Sequence, residues 1–261
     1  MALSKTVCGL LAACLWAGSG CSDTGDDDVV IGGNTLMDAS VGDLDAAVPD
    51  SGLDAGLFDA AGHAGTSPLI SFFVTSDKSM TGNLGGLAGA DLRCQKLAAA
   101  VGAGAKTWRA FLSVEKDLAS GNAAVEARSR IGKGPWYNAK GVLLANNVAQ
   151  LFSLSGDHTL FVDEHGDAIN GQWLGSPTPN EHDVLTGTEP DGGVAVGRTC
   201  ADWTSAAPAP AVAVVGHTDG LGPNQNPAPP YNSWYSVHET AGCNDTAPRG
   251  GAGRLYCFAA E

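Results

Sequence analysis

The sequence is short of basic side chains, with 14 Lys and Arg against 28 Asp and Glu and a formal net charge of -14. Proteins that bind nucleic acid neutralise its phosphates with clustered positive charge. The low basic content therefore argues against DNA or RNA as a partner. The acidic excess is unevenly distributed, because residues 22–66 contain ten Asp and no Lys, Arg or Glu.

Long apolar runs are also lacking. The apolar run near the N-terminus, Thr6 to Ala17, is too short to cross a bilayer as a helix. A single positive charge at Lys5 precedes it and small residues follow it, which is the order typical of an export signal. The small residues end at Cys21 in a run that resembles a bacterial lipobox. We therefore interpret residues 1–21 as a lipoprotein signal peptide, with Cys21 lipidated and the protein exported to the cell envelope, anchored in the outer membrane.

Two alternatives remain open for this segment. The run Leu11-Ala12-Ala13-Cys14 matches the lipobox pattern better, but lipidation at Cys14 would leave a very short apolar core. The other alternative is an ordinary secretory signal that is cleaved nearby without lipidation. If the protein is a lipoprotein, we expect the lipid anchor to be its only contact with the membrane.

Residues 22–66 have the composition of a tether. They consist largely of Asp, Gly, Ala and other small residues, and like charges and small side chains cannot bury enough apolar surface to offset chain entropy. A calcium-binding Asp repeat is the alternative, but the spacing matches neither an EF-hand loop nor a glycine-rich nonapeptide repeat. The composition predicts a disordered acidic tether, followed by one globular domain at residues 67–261.

Closely spaced cysteine pairs are absent, which argues against a cysteine-rich zinc site. Three of the seven cysteines lie in the signal segment, and four remain in residues 67–261. An even number of cysteines in an exported domain predicts a disulfide framework, for which the count alone allows three connectivities. These four are Cys94, Cys200, Cys243 and Cys257.

Catalytic motifs are lacking as well. The chain has no G-x-S-x-G elbow, no phosphate-binding glycine loop ending in Lys-Ser or Lys-Thr, and no H-E-x-x-H. The globular histidines form no helical i, i+4 pair. His182, in the run Asn180 to Asp183, suits either a metal-binding loop or a polar turn. We expect a protein that is not an enzyme and that has no metal site or cofactor.

The pattern of apolar residues predicts an α+β domain. Ile70 to Ser76 and Thr107 to Ser113 read as strands, and Leu87 to Val101 reads as a helix with Cys94 on its inner face. Ala123 to Ile131 reads as a second helix. Further short strands are expected in the loop-rich second half, at 160–162, 184–186, 199–204, 212–215 and 254–258.

Several motifs occur in an order that resembles a bacterial lipoprotein domain of poorly defined function with a C-type lectin-like, endostatin-like fold. The resemblance covers about residues 70–261. It implies a small twisted antiparallel sheet with two helices, a long loop region, and the disulfides Cys94–Cys257 and Cys200–Cys243. The motifs are Phe72 to Ser76, Thr81 to Asp91, Cys94, Trp108 to Ser113, Thr186 to Thr188, Asp191-Gly192, Cys200 to Ser205 and Arg254 to Phe258.

Sugar-binding C-type lectins hold calcium with a Glu-Pro-Asn or Gln-Pro-Asp loop and a later Trp-Asn-Asp strand. This chain has Glu189-Pro190-Asp191, but no Trp-Asn-Asp precedes Cys243. A Pro-Asp-Gly-Gly turn explains the first motif equally well. The sequence therefore predicts no cofactor, and calcium at Glu189 and Asp191 remains the alternative.

The remaining functional signal is the concentration of polar and aromatic residues between Trp173 and Tyr235. Loops held rigid by a disulfide lose little entropy when they bind a ligand. We expect this loop region to bind a carbohydrate or protein ligand at the cell surface, as a ligand-binding or adhesive domain. A purely structural envelope protein and an unrecognised hydrolase are the alternatives. Trp203 is expected to fill the core, and Trp234 suits either the core or a ligand-binding surface. The ligand-binding candidates are Asn180, His182, Glu189, Asp191, Trp234 and Tyr235.

Overall fold

The computed structural model describes residues 67–260, which form a mixed α+β structure with two disulfides. The interpretation of residues 1–21 and 22–66, including lipidation at Cys21 or Cys14, lies outside the described residues. None of the helices within residues 67–260 is long and apolar enough to span a membrane.

The elements run in the order β1 (Phe72–Val74), α1 (Gly86–Ala100), β2 (Trp108–Ala110), β3 (Val114–Asp117), β4 (Ala123–Val125), β5 (Trp136–Tyr137), β6 (Leu143–Ala145), α2 (Val148–Phe152), β7 (Asp183–Leu185), β8 (Val214–His217), β9 (His238–Glu239), β10 (Gly251–Arg254) and β11 (Tyr256–Ala259). Strands β1, β11 and β2 form one antiparallel sheet. A second sheet has the order β10-β7-β8-β9, in which only the pair β10–β7 is parallel. Two further antiparallel pairs are β3–β4 and β5–β6.

The first sheet separates two hydrophobic cores. Successive side chains of a strand point to opposite faces, and here both faces are buried. Phe73 and its register partner Cys257 face the core formed with α1, whereas Phe72 and Phe258 face a second, aromatic core. This two-sided burial explains why the strand at residues 72–74 is a continuous apolar run.

Both disulfides pair as the family resemblance implies. Cys94 of α1 is bonded to Cys257 of β11, and Cys200 is bonded to Cys243. The first bond ties the helix to the strand that lies between β1 and β2. The second closes a loop with a sequence separation of 43 residues. The bonds support an oxidising, exported environment for the domain.

Three of the secondary-structure predictions are wrong: the second helix, the strand at residues 160–162, where Val162 forms only an isolated bridge to Ala168, and the strand at residues 199–204. The segment expected as a second helix forms strand β4, whose Val125 pairs with Val114, and then a short 3-10 turn at Ala127–Ser129. Pairing with β3 has overridden the helix propensity of this Ala-rich run. The strands predicted at Ile70 to Ser76 and Thr107 to Ser113 are present as β1 and β2 but are not neighbours, because β11 lies between them.

The strand expected at residues 199–204 is instead a tight turn. Residues Cys200 to Trp203 all have positive φ, between 49° and 65°. The turn is held by the carboxylate of Asp202, which accepts hydrogen bonds from the backbone N–H groups of Glu115 and Lys116. It places the Trp203 ring in the core, where Nε1 donates to the carbonyl of Ser113 over 2.9 Å. The prediction that Trp203 fills the core is therefore confirmed.

Candidate metal centre

Three side chains that can bind a metal converge on one face of the second sheet. Asp183 of β7 and His217 of β8 are direct register partners, and His238 of β9 pairs with Val215. Val215 and His217 are two residues apart on the same strand, so their side chains share a face. The side chains of Asp183 and His217 are 3% and 2% exposed, and that of His238 is 29% exposed.

The ligand atoms are spaced as a small metal ion requires. Nε2 of His217 lies 3.2 Å from Nε2 of His238 and 3.3 Å from Oδ1 of Asp183. Oδ2 of Asp183 lies 3.6 Å from Nε2 of His238. A tetrahedral zinc ion with bonds of about 2.0–2.1 Å separates its ligand atoms by about 3.3–3.4 Å. The three groups can therefore contact one ion with little movement.

The protons of the two histidines are directed away from this centre. Nδ1 of His217 lies 2.8 Å from the carbonyl oxygen of Leu221, and Nδ1 of His238 lies 3.1 Å from that of Glu239. A carbonyl oxygen only accepts hydrogen bonds, so both Nδ1 atoms carry the proton and both Nε2 atoms present lone pairs. Oδ1 of Asp183 is buried with no hydrogen-bond partner. Two lone pairs and a carboxylate oxygen thus face one another without a donor.

Burial controls the charge of these groups. It lowers the pKa of His217 to about 3, with the neighbouring His182 and His238 acting in the same direction. Burial also lowers the pKa of His238 and raises that of Asp183 well above its ordinary value. The two imidazoles are therefore neutral near pH 7, which is the form that binds metals. The uncompensated carboxylate is costly to keep ionised unless a cation lies beside it.

A second histidine–carboxylate pair, His182 and Asp219, packs against His217 of the centre. Nδ1 of His182 is hydrogen-bonded over 2.8 Å to Oδ1 of the buried Asp219, and the ring of His182 stacks on His217 with centroids 4.0 Å apart. Burial alone would raise the pKa of Asp219, but the hydrogen bond from His182 and two backbone N–H groups lower it. With His217, this pair forms a second group whose ligand atoms lie within 4.8 Å of one another. Its hydrogen bond already uses Nδ1 of His182 and Oδ1 of Asp219, so we assign the pair to orienting the centre.

Trp234 does not have the role that the sequence suggested. Its side chain is fully buried, and Nε1 donates to the carbonyl of Leu151 over 3.1 Å. The ring packs against Phe111 and Tyr256 at centroid distances of 4.8 and 5.2 Å. The prediction that Trp234 anchors a ligand at the surface is wrong, because the ring completes the aromatic core.

Three other candidates meet at one turn. Asp191 is exposed, and its Oδ1 accepts a hydrogen bond from the backbone N–H of Gly193, as a Pro-Asp-Gly-Gly turn requires. The carboxylate of Glu189 pairs with Arg198. The hydroxyl of Tyr235 donates to the carbonyl of Pro190 over 2.8 Å. These contacts favour the turn interpretation of the Glu-Pro-Asp motif over a calcium loop.

Of the predicted binding residues, His182 belongs to the buried cluster and Asn180 adjoins it. Oδ1 of Asn180 accepts from the backbone N–H of His182 over 3.3 Å. Sequence reasoning gave the run Asn180 to Asp183 as either a metal-binding loop or a polar turn, and it missed His217 and His238, because the separations along the chain match no metal motif. A further signal was that Asp183 and His217 adjoin predicted strands, but the pairing of those strands could not be read from one sequence.

A search of protein-family models finds no family that matches the chain, and a search of curated proteins finds no matching sequence.

Proposed function

We propose that this protein is an exported, envelope-anchored binding domain that holds a divalent transition-metal ion through Asp183, His217 and His238. The observation that carries the proposal is the convergence of two imidazole lone pairs and a buried carboxylate oxygen with no hydrogen-bond partner. An ion at this point would balance the buried charge and serve all three acceptors. The proposal departs from the expectation of no metal site, which rested on motifs along the chain.

Zinc fits this set of ligands best. Imidazole nitrogens and a carboxylate oxygen are common zinc ligands, and their separations here are near those of a tetrahedral site. Calcium takes six to eight oxygen ligands and does not favour imidazole. The hydrogen bonds of both Nδ1 atoms to backbone carbonyls, and the His182–Asp219 pair, supply the outer support that metal-binding histidines require.

Metal analysis of the purified protein tests the proposal. After removal of metals with a chelator, added zinc should bind at one equivalent and raise the melting temperature, because an ion that binds only the folded state stabilises it. Asp183→Asn and His217→Gln should abolish this uptake, and Asp219→Asn should weaken it by about 10–100-fold. His165→Gln is the matched control, because its side chain is 47% exposed and lies outside the cluster. Failure of the wild-type protein to bind zinc or cobalt would overturn the metal site.

The finer fold and ligand assignments are part of this proposal. Three features support a C-type lectin-like domain. Strand β11 lies between β1 and β2, the disulfide Cys94–Cys257 joins β11 to α1, and the disulfide Cys200–Cys243 closes the long loop region. We propose that its loops bind a carbohydrate or protein ligand without catalysis. Glycan and protein arrays probed with zinc-loaded and metal-free protein test this. Mass spectrometry of the mature N-terminus tests lipidation at Cys21.

A further inference from the structure

The metal centre described above has three protein ligands and not four. Asp183, His217 and His238 are one of two groups in the described residues whose ligand atoms all lie within 4.8 Å of one another. The other group is His182, His217 and Asp219, in which Nδ1 of His182 is already hydrogen-bonded to Asp219. Nε2 of His182 approaches the same carboxylate, at 3.3 Å from Oδ1 of Asp183, and is the nearest candidate for a fourth ligand.

Ring stacking excludes His182 from the coordination sphere in this conformation. The rings of His182 and His217 lie 4.0 Å apart with an angle of 20° between their planes. An imidazole lone pair lies in the plane of its ring, so two nearly parallel stacked rings cannot direct their Nε2 lone pairs at one ion. His217 and His238 differ in this respect, because their planes are inclined by 72° and their Nε2 atoms approach closely. A four-coordinate ion would therefore keep one position for an external ligand.

One of the three ligands is partly exposed to solvent, and a cation lies nearby. His238 is the one ligand of the three whose side chain is substantially exposed, at 29%. The exposed Arg249 donates from its guanidinium to the carbonyl of Glu239 over 3.2 Å, and its charge acts on both Asp183 and His238. The carboxylate of Glu239 is directed to Arg198 instead. A divalent ion and Arg249 carry three positive charges against the two carboxylates of Asp183 and Asp219, so the site keeps a net positive charge.

We infer that the metal binds a carboxylate group of an external ligand at this open position, and that Arg249 pairs with that carboxylate. The inference rests on the proposed metal site and adds a ligand chemistry to it. A carboxylate satisfies both requirements at once, because it coordinates zinc through oxygen and accepts charge-assisted hydrogen bonds from a guanidinium. Such a group can come from an acidic sugar or from a peptide.

Binding of a ligand at the open position can be followed by visible absorption when cobalt occupies the site. The purified protein is loaded with Co²⁺, and its visible absorption is followed while acetate, glucuronate or N-acetylglycine is added. A saturable change with these carboxylates, and none with acetamide or glucose, is expected if the external position binds carboxylate. A stronger response to glucuronate or to N-acetylglycine assigns the source as sugar or peptide.

Variants of Arg249 separate this inference from the metal site itself. Arg249→Gln should weaken carboxylate binding about tenfold or more, the effect of one lost charge-assisted contact, while cobalt content is unchanged. Arg249→Lys should retain part of the affinity, and Arg128→Gln, at a half-buried arginine paired with Glu126, should have no effect. If cobalt binds and no carboxylate alters the spectrum, the inference is wrong and the metal site stands. If no cobalt binds, both fail.

Discussion

At the scale of single residues, Trp234 shows how burial changes the meaning of an aromatic side chain. It lies among loop residues, but its ring packs against six other aromatic rings in and around the second core. These neighbours are Phe111, Phe152, Phe161, Tyr235, Tyr256 and Phe258. A ring that is fully buried in this way stabilises the fold and cannot contact a ligand at the surface.

We expect Trp234→Ala to destabilise the protein by about 3–5 kcal/mol, because it leaves a large cavity in a packed core. Trp234→Phe should cost less, since it keeps most aromatic contacts and loses the hydrogen bond to Leu151. Denaturant unfolding followed by circular dichroism measures both changes. A Trp234→Ala variant as stable as the wild type would contradict the burial of this ring. Tyr231→Ala, at a half-buried aromatic of the same loop region, is the comparison variant.

At the scale of elements, strand β8 is constrained by the strands on both of its edges and by the chain segment that packs against its Gly216. It pairs with β7 and β9, which sets the positions of Asp183 and His238 relative to His217. Its Gly216 lies against the backbone of the segment that carries Trp234, where an added Cβ would lie 1.9 Å from the carbonyl oxygen of Trp234. The glycine therefore permits close approach of the two segments.

We expect Gly216→Ala to displace β8 from the Trp234 segment and to reduce both stability and zinc binding. The physical reason is that backbone cannot yield as a flexible side chain can. Thermal unfolding and metal titration of the same sample measure the two effects. Gly175→Ala is the control, because its added Cβ would meet nothing within 4 Å, although its positive φ of 83° adds a small cost of its own. Unchanged zinc affinity in a folded Gly216→Ala variant would show that the centre does not depend on this packing.

At the scale of the whole described domain, the two disulfides restrict chain segments of different length. The sequence separations are 163 residues for Cys94–Cys257 and 43 residues for Cys200–Cys243. Restriction of a longer loop removes more entropy from the unfolded chain. The Cys94–Cys257 bond connects α1 to β11, the central strand of the first sheet. The Cys200–Cys243 bond restrains the turn that contains Trp203.

Removal of either bond by paired Cys→Ala substitution should lower the free energy of unfolding. The chain-entropy model gives about 5 kcal/mol for Cys94–Cys257 and about 4 kcal/mol for Cys200–Cys243. Denaturant titration of the two double variants, alongside the wild-type protein with and without reductant, measures the difference. Equal stability of wild type and both variants would show that packing alone holds the domain together.

Much of the domain could be predicted from local sequence pattern. The strand at β1, the helix α1 with Cys94 inward, the strand at β2 and the α+β class follow from alternation and helical spacing, which depend only on nearby residues. The disulfide pairing came from resemblance to a family, since the cysteine count alone left three connectivities open. The turn at Asp191 was already one of the two interpretations of its motif.

Tertiary structure alone decided the candidate metal centre and the roles of the aromatic residues. Asp183, His217 and His238 are distant in sequence and converge because β7, β8 and β9 pair in one register. Strand pairing is a long-range property, so no local pattern encodes which side chains will face one another. The same reason explains β4, where pairing with β3 replaced an expected helix, and Trp234, for which the sequence left core packing and ligand contact both open. Local pattern determined which segments form elements, and their pairing determined which chemistry those elements bring together.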